Sequence, residues 1–230
     1  MRFLSALALF LLAAMPLLPA QAAEWQLASH EPGLTLYTRN IDGQDLKEFR
    51  GVVRVQASMR QVVEMLADAD SMPQWFFNMR EARLLEINAP DKSFLYFVIK
   101  GLWPVSDRDA VVRLHLQQDA KTRVLTFAAT AVPEHYPPMR NRVRIPRLQA
   151  SWTITPVSAT TTEIRLDGHA DPGGSIPVWM ANLVVVELPR VTLRNLRQRL
   201  EAQAVGAAAL STDPRIAKLL ADVKFPDFPE

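Results

Sequence analysis

Residues 171–182 read DPGGSIPVWMAN. The adjacent Gly173 and Gly174 allow a turn through positive φ at no steric cost. Ser175 is placed to cap a helix and Pro177 suits its first turn. The spacing beyond them predicts a helix to about Gln203. Trp179, Asn182, Val186, Pro189, Leu193, Leu196 and Leu200 alternate in steps of three and four, which makes one continuous stripe. Met180, Leu183, Val184 and Leu188 make the other side of the first half apolar as well, so that half is expected to be enclosed all round. Arg190, Arg194 and Arg197 give the second half a basic face that is expected to surface. Pro189 removes a backbone bond where the change occurs and is predicted to kink the helix there.

Upstream the pattern is mostly that of strands. LTLYTR at 34–39 alternates, Asp42-Gly43 signals a turn, and 46–55 alternates again, which together predict a hairpin. Ser58 and Gln61 have the spacing of a capping box, and Met59, Val62, Val63 and Leu66 form one apolar helix face. A short helical turn is expected in SMPQWFFN, with Ser71 as its cap and Pro73 in its first turn. Strand patterns follow at 80–87, 93–101, 109–118, 122–130, 142–155 and 160–170. Their short polar connections imply antiparallel neighbours. FLYFVIKG at 94–101 is apolar at odd and even positions alike, so this strand is expected to be covered on both faces, by the core on one side and a cavity wall or helix on the other.

At the N-terminus Arg2 precedes an apolar run from Phe3 to Leu18, and Ala20-Gln21-Ala22 is a small-x-small site. This is the form of a secretory signal peptide over residues 1–22, with Ala23 as the expected mature start and the periplasm as the expected location. Removing Arg2 from the 26 basic residues leaves 25 against 24 acidic ones, so charge gives no electrostatic case for nucleic acid. The absence of cysteine excludes disulfides, thiol catalysis and cysteine-based metal sites. The expected organisation is a leader at 1–22, one domain at 23–205 and a C-terminal tail at 206–230. The tail from Ser211 on reads as a loose arm carrying one short helical pattern, DPRIAKLLADV.

This order of elements makes an α+β helix-grip arrangement: a curved antiparallel β-sheet, an early helix after a hairpin, and a long C-terminal helix. DPGGSIPVWMAN resembles the hallmark of START domains, the StAR-related lipid-transfer family, and is most similar to the phosphatidylcholine-transfer-like branch. SMPQWFFN resembles the family segment ending in Trp-Asp. WPVSDRDAV, residues 103–111, resembles its Pro-x-Ser-x-Arg-Asp-aromatic segment, and VPEHYPPMRNRVRI its His/Pro-rich loop. The resemblance covers roughly residues 25–204. It implies a hollow domain that holds one lipid, with the last helix as a lid and the loop around 133–141 as a second gate. Ala110 stands where many relatives have an aromatic residue and Phe76 where many have Asp, so the identity of the ligand is not carried over.

Several residues are candidates for contact with the ligand. If Arg108 points into a cavity, it is a buried cation, and a phosphate or carboxylate suits its fork. The alternative is a structural pair with an acid, though not with Asp109, because adjacent strand residues face opposite ways. Trp179 and Asn182 lie on one helix stripe with Val186, and are either cavity-facing or core and loop-binding. Phe97, Ile99, Trp103 and Trp152 are cavity lining or plain core. Candidate gate and hinge positions are Gly173, Gly174, Pro189, Tyr136, Pro137 and Met139. The apolar loop tip could touch membrane, with Arg140, Arg142 and Arg144 meeting anionic headgroups. Glu134-His135 reads as a solvated loop rather than acid–base chemistry.

No G-x-S-x-G, H-E-x-x-H or phosphate loop is present, and His30, His115, His135 and His169 lack metal-ligand spacing. The residues imply no catalytic site, no metal and no cofactor. A carrier needs none: exposing a C16 chain to water costs over ~10 kcal/mol, and a closed apolar box removes most of that. The expected partners are one lipid (phospholipid, sterol-like or hopanoid, or fatty acid) and a transient membrane surface, with the protein a monomer. The alternative is a cyclase- or hydrolase-like enzyme of the same superfamily using the same cavity.

Overall fold

The alternation in LTLYTR is realised directly. Leu34, Leu36 and Thr38 are buried, while Thr35, Tyr37 and Arg39 lie on the other face of the strand. The computed structural model describes residues 23–87, 93–205 and 214–228; the predicted leader at 1–22 lies outside them. The strands are β1 (Gln26–Glu31), β2 (Leu34–Arg39), β3 (Glu48–Val55), β4 (Met79–Ile87), β5 (Ser93–Ile99), β6 (Asp107–Gln118), β7 (Leu125–Ala131), β8 (Arg142–Arg144), β9 (Arg147–Ser158) and β10 (Thr161–Asp171). They form one curved sheet in the order β1-β2-β3-β10-β9-β7-β6-β5-β4, antiparallel throughout that path. Helix α1 (Met59–Ala67) and a 3₁₀ turn (Ala69–Gln74) follow β3, and α2 (Val178–Val205) and α3 (Pro214–Leu219) follow β10. This is the helix-grip fold.

Local chemistry explains the helix starts. The capping box of α1 forms: Gln61 N–H donates to Ser58 Oγ, and Ser58 N–H donates to Gln61 Oε1. The 3₁₀ turn begins earlier than expected, because Asp68 is its cap and Ser71 N–H donates to the Asp68 carboxylate. Helix α2 begins later than expected. The Pro177 carbonyl accepts the Met180 and Ala181 N–H groups, so Ser175 sits two residues short of the capping position. The predicted strand 142–155 is broken at Ile145-Pro146. Pro146 has no N–H for a ladder, and β8 instead runs parallel to the start of β6.

The second half of α2 is firmly seated. Leu193, Leu196 and Leu200 are buried in the core with Leu34, Leu36 and Val53. Thr192 Oγ1 accepts from Phe77 N–H at 3.1 Å, and Asn195 Nδ2 donates to the Trp75 carbonyl at 3.2 Å. The basic face does not surface freely. Arg190 and Arg194 both reach Glu31, and Arg197 donates to the Pro32 carbonyl at 2.8 Å. Nor is the first half enclosed all round, since Val178, Trp179 and Leu183 are exposed. The helix runs unbroken through Pro189.

Gly51 on β3 lies directly beneath Leu193 and Pro189 of α2. A Cβ there would lie 2.4 Å from Leu193 Cδ1 and 3.0 Å from Leu36 Cδ2. Gly51→Ala is therefore expected to overpack this contact and to cost about 1–3 kcal/mol. Urea denaturation would show it as a lowered midpoint with an unchanged slope, and a stability equal to the parent's would refute the close contact.

Of the tail expected at 206–230, residues 206–213 lie outside those described, and from Pro214 to Phe228 the chain is not a loose arm. Ile216 and Leu219 are buried against Ala67, and Leu220, Val223 and Phe225 pack on the main core. Lys224 and Gln118 exchange two hydrogen bonds of 2.9 and 2.7 Å, and the Arg60 guanidinium sits 4.0 Å above the Phe225 ring.

Candidate functional site: an apolar cavity under the first half of the long helix

Side chains do not fill all the space between the sheet and α2. A cavity of about 210 Å³ remains, walled by β5 and β6 on one side, by β9 and β10 on another, and roofed by Met180, Val184 and Leu188 of α2. Phe97, Ile99 and Trp152 line it. A more polar vestibule of about 730 Å³ adjoins it at the 43–46 loop and shares Leu46, His169, Ile176 and Ala181 with it.

Alternation along β5 divides its residues between two environments. Leu95, Phe97 and Ile99 face inward. Tyr96 and Val98 face outward and are buried with Val111, Val132 and Tyr136. The second cover of this apolar strand is thus the 133–141 loop, which lies on the outer face of the sheet. Tyr136, Pro137 and Met139 line none of the cavities described, so they do not gate them. Arg83 donates to the Tyr136 hydroxyl at 2.8 Å, and Arg144 donates to the carbonyls of Pro133, Tyr136 and Pro137. The loop is tied down, not swinging. Arg144 and Arg142 are also engaged, Arg144 with Asp109 and Arg142 with Tyr96 and Glu81, so neither is a free headgroup contact.

Arg108 lies on the inner face of β6 and lines the cavity, with 7% of its surface exposed. Its Nη1 donates to the Ser106 carbonyl and its Nη2 to the Gly173 carbonyl at 3.4 Å, while Nε has no partner among the described residues. The acids beside it in sequence are committed elsewhere. Asp107 accepts from Gly101 N–H and pairs with Arg80, and Asp109 pairs with Arg144 on the opposite face. Among the described residues no carboxylate neutralises Arg108, and burial pulls its pKa below the usual guanidinium value. The structural pairing considered from sequence does not occur among the described residues. An apolar chamber with one unpaired guanidinium in its wall is suited to an amphiphile carrying a phosphate or carboxylate.

The other candidates divide. Trp103 is 92% exposed and Trp179 67% exposed, and neither lines the cavity. Asn182 faces the 45–47 loop, accepting from Lys47 N–H and donating to the Asp45 carbonyl, both at 3.4 Å. Val186 packs against the core outside the cavity. Gly173 and Gly174 both take φ of +66°, as a turn made for glycine requires. Sequence reasoning missed His169, which lines the cavity and has a buried Nδ1 without a partner among the described residues. Alternation gave no signal for it, because His169 has the opposite parity on β10 to the buried Thr162, Ile164, Leu166 and Gly168. Among the described residues no group of acids and histidines could hold a metal ion, and no helix is long and apolar enough to cross a membrane.

The family model described as START domain matches residues 13–204. An uncharacterized protein of Pseudomonas aeruginosa is 31% identical over 182 residues, covering 79% of this chain and 89% of that one. The phosphatidylcholine transfer protein of Mus musculus is 25% identical over 165 residues, covering 70% and 76%. Among solved structures, a STAR-related lipid transfer protein fragment from Xanthomonas axonopodis superposes with a TM-score of 0.71 at 39% identity, covering 76% of this chain and 98% of the other. Human StAR-related lipid transfer protein 5 superposes with a TM-score of 0.72 at 16% identity, covering 80% and 90%, which is a likeness of fold.

Proposed function

The chain belongs to the START domain family, and from that premise we propose that it is a carrier that encloses one anionic lipid and moves it between membranes. The observation that carries this reading is Arg108, a buried cation without an acid partner in the wall of an apolar cavity. A phospholipid or fatty acid supplies the missing anion, and this favours them over an uncharged sterol-like or hopanoid ring system. The leader-like pattern of residues 1–22 supports action in the periplasm. The reading needs no reacting group: the protein binds its cargo as a monomer and releases it unchanged.

The mouth supplies the membrane contact. Leu102 and Val105 of the 101–106 turn line the cavity together with Ile176 and Met180 at the start of α2, and the opening is assigned to these two segments. On the outer side of these two segments Trp103, Val178, Trp179 and Leu183 are exposed. Exposed tryptophans around an apolar opening suit the headgroup layer of a bilayer. The seated half of α2 beyond Pro189 and the lightly held half before it define the part that lifts.

The deciding experiment extracts the purified protein with organic solvent and identifies co-purified lipid by mass spectrometry. One anionic lipid per chain, recovered unaltered, is expected; an empty protein, or a lipid converted on incubation, overturns the carrier. The paired substitution Trp103→Ala and Trp179→Ala is expected to slow transfer between vesicles by about tenfold or more while bound lipid stays at one per chain. Equal transfer by the pair and the parent would remove the mouth as the docking face.

A further inference from the structure

We propose that the C-terminal segment forms the floor of the ligand cavity and that Leu219 sets the length of hydrophobic chain the protein accepts. This rests on the carrier reading and adds to it a residue that decides specificity. A second chamber of about 110 Å³ lies beyond the first, lined by Leu66, Met72, Leu84, Val112, Phe127 and Leu219 among others. The two chambers share Phe76, Phe97, Leu148, Ala150 and Trp152, so the partition between them is one side chain thick. Each chamber alone falls short of the ~300 Å³ at which ligand pockets begin, and joined they reach it. Shifting the partition therefore turns two spaces, each too small, into one that is large enough. The far chamber has an almost wholly apolar lining and receives the end of an aliphatic chain whose charged group sits at Arg108 in the near one.

Leu219 is the only lining residue of either chamber from beyond α2, among the described residues. It is fully buried, and the segment carrying it is held by the Lys224–Gln118 bonds, the Arg60–Phe225 contact and the Arg215–Asp70 ion pair at 3.2 Å. The family match ends at residue 204, so this closure belongs to the chain outside the shared domain. A floor anchored this firmly is a fixed stop, unlike the lid at the other end.

The test measures binding of saturated fatty acids from dodecanoate to eicosanoate, and of phosphatidylglycerols with the same acyl chains, to the full chain by native mass spectrometry. Leu219→Ala deepens the floor, and its affinity for the longest chains relative to the shortest is expected to rise about threefold or more. Leu219→Trp fills the chamber, and the same ratio is expected to fall about tenfold. Ala129→Leu narrows the chamber from β7 without touching the tail, and is expected to reproduce the fall if Leu219→Trp does not fold. A parent that binds the series while Leu219→Ala leaves the length preference unchanged overturns the floor and leaves the carrier standing. A parent that binds neither series and carries no lipid overturns both. Preference for fatty acids over phosphatidylglycerols, or the reverse, identifies the source of the anionic group.

Discussion

Asp109→Ala is expected to lower the stability of the protein by about 3–5 kcal/mol. Asp109 is 1% exposed on the outer face of β6 and accepts from Arg144 Nε at 3.0 Å, from Arg144 Nη2 at 2.9 Å and from the Tyr96 hydroxyl at 3.1 Å. Removing the carboxylate strands a largely buried guanidinium and a fully buried phenol whose pKa burial already pushes up. It also frees the 133–141 loop, because Arg144 carries three of that loop's carbonyls. The double change Asp109→Ala with Arg144→Met removes the stranded charge and should recover part of the loss. Guanidinium unfolding of the two variants beside the parent decides it; a loss below about 1 kcal/mol for the single change would mean that the pair is solvated.

Arg108→Met is expected to act the opposite way, leaving the fold intact and removing the ligand. The guanidinium has no acid to lose, so taking it out relieves a desolvation penalty while forfeiting two hydrogen bonds to carbonyls. These terms oppose one another, and the unfolding midpoint should stay close to the parent's. Hydrogen bonds to a charged group are worth about 1.5–3 kcal/mol, so affinity for an anionic lipid should fall by roughly tenfold to a hundredfold. Arg108→Lys should lie between, keeping the charge but not the fork. Lipid titration followed by tryptophan fluorescence would measure both variants, and an affinity matching the parent's would disprove the anion contact.

The sequence shows the frame well where burial is one-sided. The strands with clear alternation and the capping box of α1 are legible, and so are the glycine turn and long helix near the end. Strand β1 is not, because it lies at the sheet edge and its mostly exposed residues carry no apolar alternation. The cavity face of α2 does not follow from its periodicity. The stripe in steps of three and four drifts only about 20° per heptad against a straight helix, too little to turn Trp179, Asn182 and Val186 away from the side of Leu193, Leu196 and Leu200. The first half of the helix is apolar on both sides, so spacing alone does not choose between them. The cavity lies under Met180, Val184 and Leu188, on the side away from that stripe. Trp103 was misread because an aromatic residue in a turn carries no periodic signal of direction. Arg108 was legible as a candidate, but its lack of an acid partner is a three-dimensional fact.

The path of the sheet has a consequence for how the chain acquires its shape. The ladder between β3 and β10 joins Phe49 to Gly168 and Val55 to Thr162. The early hairpin thus waits for a partner made more than half the domain later, and α2 comes later still. Closing contacts so distant along the chain slows the search for the native state. A chain emerging from the ribosome cannot pair the free edge of β3 until β10 has appeared, nor cover its inner face until α2 has followed. Until then its apolar strands have no lasting cover, and holding the nascent polypeptide unfolded works with this topology, whereas folding it piece by piece does not.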